Sequence, residues 1–97
     1  MAKIKIYQAN IGWNNKFMSY NFIMKHGGID QSEYNCVFDG YVGTDDLEDI
    51  FTIFNTRKVD GFTGHSLSVS DIVVIQGEGA YIVDSFGFVK VCDWMEV

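Results

Sequence analysis

Four consecutive β-branched residues, Ile72-Val73-Val74-Ile75, are followed by Gln76-Gly77-Glu78-Gly79 and then by Ala80-Tyr81-Ile82-Val83. An apolar run, a tight glycine-containing break and a second β-rich run specify a hairpin, here over 72–76 and 80–86. A polar, turn-rich lead-in, Gly64-His65-Ser66-Leu67-Ser68-Val69-Ser70-Asp71, feeds the first strand. The rest of the chain must be arranged around this pair.

Upstream, Ile4 and Ile6 alternate with Lys3 and Lys5, the pattern of a half-buried strand. Residues 10–16 contain Gly12, several Asn and Trp13, and read as a loop. From Phe17 a second alternation sets Met18, Tyr20, Phe22 and Met24 against Ser19 and Asn21. It predicts a second strand, antiparallel to the first, with its large side chains in the core. His26-Gly27-Gly28 breaks the pattern. Residues 34–42 alternate again, with Tyr34, Cys36, Phe38 and Val42 on one face and Gly40 marking a bulge or a close backbone approach. A last strand is expected over 88–94, where Phe88, Lys90, Cys92 and Trp94 alternate with Val89 and Val91.

One helix is clear. Leu47, Ile50, Phe51 and Phe54 recur at i, i+3, i+4 and i+7, an apolar stripe. Thr44 or Asp45 can cap it; with Asp45 as the cap, Glu48 takes the reciprocal capping-box position. Asp46, Glu48 and Asp49 suit the positive end of the helix dipole, and Asn55, Arg57 and Lys58 close the helix. Residues 56–71 show no clear periodicity. A connection of that length has a task of its own or hides a short element, such as an edge strand in which Leu67 and Val69 alternate with the serines. The order strand, strand, strand, helix, strand, strand, strand is α+β: a curved antiparallel sheet of about five to six strands with one main helix packed on it, in a single domain over residues 1–97.

Ninety-seven residues, 47% of them hydrophobic, can bury a core without metal or disulfide support. The two cysteines, Cys36 and Cys92, lie outside any CxxC pair and are expected as buried thiols. No apolar run approaches the roughly 18 residues of a membrane span, and Met1–Ile6 lacks the apolar stretch of a signal peptide. A cytoplasmic protein without membrane contact is expected.

The net charge of −6 is unevenly placed. Residues 1–25 carry four lysines and no acid; residues 26–56 carry seven acids and neither Lys nor Arg. Such asymmetry makes one face acidic and steers basic partners, unless the folded chain interleaves the two signs.

The run from Gly64 to Val73, together with Tyr81-Ile82-Val83-Asp84-Ser85-Phe86-Gly87-Phe88 and with Leu47-Glu48-Asp49-Ile50-Phe51 and Phe54-Asn55, resembles the YodL-like family of small domains. The resemblance covers about half the chain, from the helix to Phe88. That family occurs in Firmicutes and on phages and mobile elements, often as a piece of larger proteins. The resemblance implies action through protein contacts, as in a regulator of the cell-shape machinery, and it carries over no catalytic residues.

The chemistry-bearing residues are sparse. His65 beside Ser66, with Cys36, Cys92, Asp71 and Asp84 elsewhere, admits a small enzyme centred on His65. No GxSxG elbow and no cysteine before a helix supports it, and a His in a glycine-rich loop commonly bonds its own loop. The acids lack EF-hand or HExxH spacing, and the glycine pairs lack the phosphate-loop pattern, so no metal and no cofactor is expected. Lys3, Lys5, Trp13, Lys16, Tyr20 and Lys25 mix cations with aromatics, but the acidic chain opposes direct nucleic-acid binding. The acidic block points the other way: Asp39, Asp45, Asp46, Glu48 and Asp49, around Tyr41, offer carboxylates where a basic groove expects phosphates. The expectation is a non-enzymatic, phage- or mobile-element-encoded inhibitor that binds a host defence enzyme of the anti-CRISPR or anti-restriction type. Its contacts are these residues together with His65, Ser66 and Ser68. A cytoplasmic regulator binding a bacterial cytoskeletal protein is the alternative.

Overall fold

Strand β1 (Ala2–Ala9) lies inside the sheet, pairing antiparallel on one side with β2 (Tyr34–Val42) and on the other with β3 (Ile72–Ile75). β3 continues through a three-residue turn into β4 (Gly79–Val83), which pairs with β5 (Phe88–Val91). The result is one five-stranded antiparallel sheet in the order β2-β1-β3-β4-β5, in a computed structural model that describes residues 1–95. Among the described residues two α-helices, α1 (Tyr20–Lys25) and α2 (Leu47–Thr56), and a short 3-10 turn at Gln31–Glu33 complete it.

Alternation along the strands builds two cores, one on each face of the sheet. Ile4, Ile6, Phe38, Val42, Val73 and Ile75 face α2, whose Ile50 and Phe54 close the first core with Leu67 from the following loop. Tyr7, Ala9, Ile72, Val74, Ala80, Ile82 and Val91 face the other way, under Ile23 of α1 and against Trp13, Tyr20 and Trp94. Ile4, Ile6, Ile23, Ile50, Ile72 and Ile82 are wholly inaccessible. Burying each such side chain contributes about 1.5–3 kcal/mol. The four-residue β3 is continuously apolar because both of its faces are covered, as central strands require.

The segment read as a second strand is instead a helix. Ser19 caps α1, its hydroxyl accepting from Phe22 N at 3.3 Å. Gly28 N returns to Ile23 O at 2.8 Å, and Gly27 and Gly28 both take positive φ, so the glycine pair ends the helix. Only Ile23 is buried. Met18, Phe22 and Met24, expected in the core, are exposed; Tyr20 and Ile23, three apart on a helix, are the pair that packs inward.

The bulge on β2 lies at Val37, three residues before Gly40: Ile6 pairs with Phe38 while Tyr7 pairs with Cys36. The extra residue turns Tyr34 to the opposite face from Phe38 and Val42, and Tyr34 joins the second core. Gly40 is a close approach, with the Phe38 ring 3.0 Å from where a Cβ would stand. Cys36 and Cys92 are both exposed, the first lying just before the bulge on the inverted part of β2 and the second beyond the end of β5. Residues 57–71 form no edge strand; they cross α2's side of the sheet, with Val59, Phe62 and Leu67 packed into the first core.

Candidate functional site

The helix start is capped one residue later than expected. Asp46 is the N-cap and accepts from Asp49 N at 3.2 Å. Thr44 Oγ1 accepts from Asp46 N at 3.1 Å and reaches Asp49 Oδ2 at 3.2 Å. Asp49 thus takes the third helical position, and Glu48 is released from any capping role. Asp45, Asp46, Glu48 and Asp49 have no Lys or Arg within ion-pair distance among the described residues. The turn between β3 and β4 adds a fifth acid: Glu78 lies beside Asp45, and its carboxyl is raised in pKa by desolvation and by a hydrogen bond and charge repulsion from Asp45, against the opposing pull of Lys90.

Asp39 and Tyr41 do not join this group. Asp39 pairs with Lys3 at 3.9 Å, and the Lys3 ammonium lies 5.9 Å from the Tyr41 ring centroid. Both alternate with Phe38 and Val42, so they project from the sheet face away from α2. His65, Ser66 and Ser68 lie elsewhere again. They meet β1 at Gln8, whereas the chain leading to α2 departs from Val42, opposite Ala2. Six residues of strand separate those two positions on β1, about 20 Å. The structure therefore divides the expected contact residues into an acidic helix start, a Lys3-neutralised sheet edge and the His65 loop.

The His65 loop is held by a buried polar junction. Gln8 is 4% exposed and Asp71 wholly buried. Gln8 Nε2 donates to His65 O at 2.8 Å and to Asp71 Oδ2 at 3.0 Å, while Gln8 Oε1 accepts from His65 N at 3.1 Å. Those bonds use both amide hydrogens, so the 3.4 Å approach of Gln8 Nε2 to His65 Nδ1 is a contact and not a third donation. Asp71 Oδ2 also accepts from Ser68 N at 2.9 Å; Asp71 Oδ1 has no partner among the described residues. Burial pushes the Asp71 carboxyl up to about 6, against the lowering effects of Ser68 N, His65, Gln8 and Lys16. Burial, and then the Asp71 charge, raise the Tyr34 phenol, whose hydroxyl donates to Ser70 O at 2.7 Å.

Two residues here carry backbone strain, and they bond each other. Ser70 has φ 84° and Phe17 φ 68°, and Phe17 N donates to Ser70 Oγ at 2.9 Å. Non-glycine residues persist in that region only where surroundings over-determine them. Ser70 is so held, by its bonds to Phe17, to Tyr34 and, through its N–H, to Val83 O at 2.9 Å.

The His65 ring closes the junction from outside. Its Nδ1 lies 2.7 Å from Ser66 O, which assigns the proton to Nδ1; Nε2 then faces the Lys16 ammonium at 3.3 Å. Lys16 also donates to Ala9 O at 2.5 Å, and the Phe17 ring lies 5.6 Å from that of His65. Asp71 meets the ring only through Gln8, so a Ser–His–Asp relay is not assembled; the chemistry in evidence is bracing of a loop. Among the described residues no three His, Cys, Asp or Glu gather to hold a metal, and no helix is long and apolar enough to cross a membrane. Gln8, Lys16, Phe17, Ser70 and Tyr34 meet at this junction, where sequence alone placed none of them. Gln8 was the available signal, a polar residue continuing the buried register of Ile4 and Ile6.

A family model described as YodL-like domain matches residues 3–94, well beyond the half of the chain that carried the resemblance. No curated protein and no solved structure matches the chain.

Proposed function

We propose that this chain, which belongs to the YodL-like domain family, is a non-enzymatic interaction domain that docks through the start of α2 on a basic surface of a host protein. The partner class is a nucleic-acid-handling defence enzyme of the CRISPR or restriction type, blocked by carboxylates that occupy the place of phosphates. One observation carries the reading: Glu78, from the β3–β4 turn, stands beside Asp45 and adds a fifth carboxyl to the four at the start of α2. A cluster of carboxyls opposed only in part by Lys90 raises on-rate and selectivity for an oppositely charged partner. Asp39 and Tyr41, set on the other face with Lys3, are outside the proposed contact.

The test is capture of partners from host lysate on the tagged protein at low and at high salt, followed by Kd measurement with the captured enzyme. The variant is Asp45→Lys with Asp49→Lys, which leaves the Asp46 cap in place. A nuclease or CRISPR effector retained at low salt, shed at high salt and lost with the double variant supports the reading. Binding indifferent to both salt and charge reversal overturns it. Retention of a cell-shape filament protein at both salts transfers the domain to the cytoskeletal alternative.

A further inference from the structure

Between the first turns of α2 and the β4–β5 turn lies a cavity of about 260 Å³, lined chiefly by Glu48, Phe51, Val83, Asp84 and Phe88. Its chemistry is of two kinds. Phe51 and Phe88 form an apolar wall, their ring centroids 6.3 Å apart and their planes at 75°. Glu48 and Asp84 add negative charge at the rim. Asp84 Oδ1 is engaged, accepting from Tyr20 N at 3.0 Å and Ser85 N at 2.8 Å, while its second oxygen has no partner among the described residues. The Glu48 carboxylate has no hydrogen-bond or ion-pair partner among them. The shift of the cap to Asp46 is what leaves it free.

We propose that this cavity seats the side chain of an arginine projected by the partner, the guanidinium lying against the Phe51 and Phe88 rings with its N–H groups directed to Glu48 and Asp84. The volume is below the roughly 300–1,000 Å³ of sites that enclose small molecules and cofactors, and it suits one long side chain. A planar cation both stacks on aromatic faces and forks toward carboxylates, which a compact ammonium does less well. An anionic side chain meets like charge at this rim, and a neutral one can hydrogen-bond to the carboxylates but leaves their charge unopposed. The proposal rests on the docking reading and deepens it, by naming what the acidic end recognises.

The probe is N-acetyl-arginine methylamide, titrated into the full chain labelled with ¹⁵N and followed through backbone amide shifts. Its neutral near-isostere, the citrulline amide, is the control. Saturable shifts at Glu48, Phe51, Ser85, Gly87 and Phe88 are expected with arginine and not with citrulline. Glu48→Gln weakens the arginine affinity by about five-fold. Phe88→Leu keeps apolar bulk but removes a ring face, and lowers affinity by a similar factor with an unchanged circular dichroism spectrum. Equal response to both amides, shifts that do not saturate, or affinity indifferent to both substitutions overturns the proposal. Asp45→Lys with Asp49→Lys touches neither wall nor rim and retains the arginine shifts, which separates the two failures. Arginine seated without any captured enzyme defeats the docking reading alone; a captured enzyme with arginine ignored defeats the cavity alone.

Discussion

Replacing Asp71 by Asn removes the one buried carboxylate at the His65 loop and tests the physics of the junction. Asp71 is wholly inaccessible, and its carboxyl is raised from an ordinary value of 3.8 to about 6, with burial the leading cause. A raised carboxyl means that the folded state holds the proton more tightly than the unfolded chain. The associated stability is fully present below the unfolded value, near pH 3.8, and is lost as pH rises through about 6. At about 1.4 kcal/mol per unit, the charged form is about 3 kcal/mol less favourable to the fold than the neutral one. The amide introduced by D71N does not titrate. Its oxygen can take over the bonds from Gln8 and Ser68, which sets an N–H₂ group where Asp71 Oδ1 now stands unpartnered. That costs about 1–3 kcal/mol at every pH. The absolute stability of D71N therefore mixes two terms, but the pH dependence of its difference from the parent does not. That difference moves by about 2 kcal/mol in favour of D71N between pH 4 and pH 7, the rest of the change falling outside that window. Urea unfolding read by the fluorescence of Trp13 and Trp94, both packed on the second core, measures it at each pH. Parallel stability curves for the two proteins would refute the argument, since they would mean that Asp71 titrates alike in the folded and unfolded states.

Two further substitutions probe what holds the loop and the second core. At Gly64 an added Cβ would stand 2.0 Å from Gln8 Oε1 and 2.8 Å from its Cδ. Gly64→Ala must therefore displace Gln8 from His65 and Asp71, lowering stability by about 3 kcal/mol in urea titration, with altered ring resonances of His65. A variant as stable as the parent would show that the Gln8 clasp contributes little. Ile23 is the single buried residue of α1. Ile23→Ala should cost about 2–5 kcal/mol, and a loss below about 1 kcal/mol would mean that α1 does not cover the sheet as described.

Periodicity made β1, β2, α2 and the β3–β4 hairpin legible, because each buries one face or both against a neighbour and its apolar residues must keep step. It failed at residues 17–24, where three of the four large side chains at period-two spacing, Met18, Phe22 and Met24, are left exposed. The informative signals there were local: Ser19 as a cap, Tyr20 and Ile23 three apart, and Gly27-Gly28 as a stop. The exposed Cys36 follows the same logic, since a bulge at Val37 inverts the faces of β2 for every residue before it. No single-strand pattern contains that bulge; it is a property of the pairing with β1. The candidate sites were legible only as residue types. Glu78 meets Asp45 and Gln8 meets Asp71 across long stretches of sequence, contacts that exist only once the sheet order is set.

The run Gly64–Asp71, which carried the family resemblance, is accounted for almost residue by residue within the fold. Gly64 leaves room for the Gln8 amide, and His65 offers its backbone N–H and carbonyl to it. Leu67 fills the first core; Ser68 N anchors on Asp71. Ser70 holds the left-handed turn that aims the chain into β3, tied to Phe17, Tyr34 and Val83. Asp71 gathers the loop from inside. A motif so fully occupied in bracing has a structural reason to stand as a unit, and that reason requires no ligand. Besides Asp71 Oδ1, the Glu48 carboxylate and the second oxygen of Asp84 have no partner among the described residues, and neither belongs to this loop. The docking proposed above therefore falls at the α2 end of the molecule, on residues outside the loop that braces the sheet.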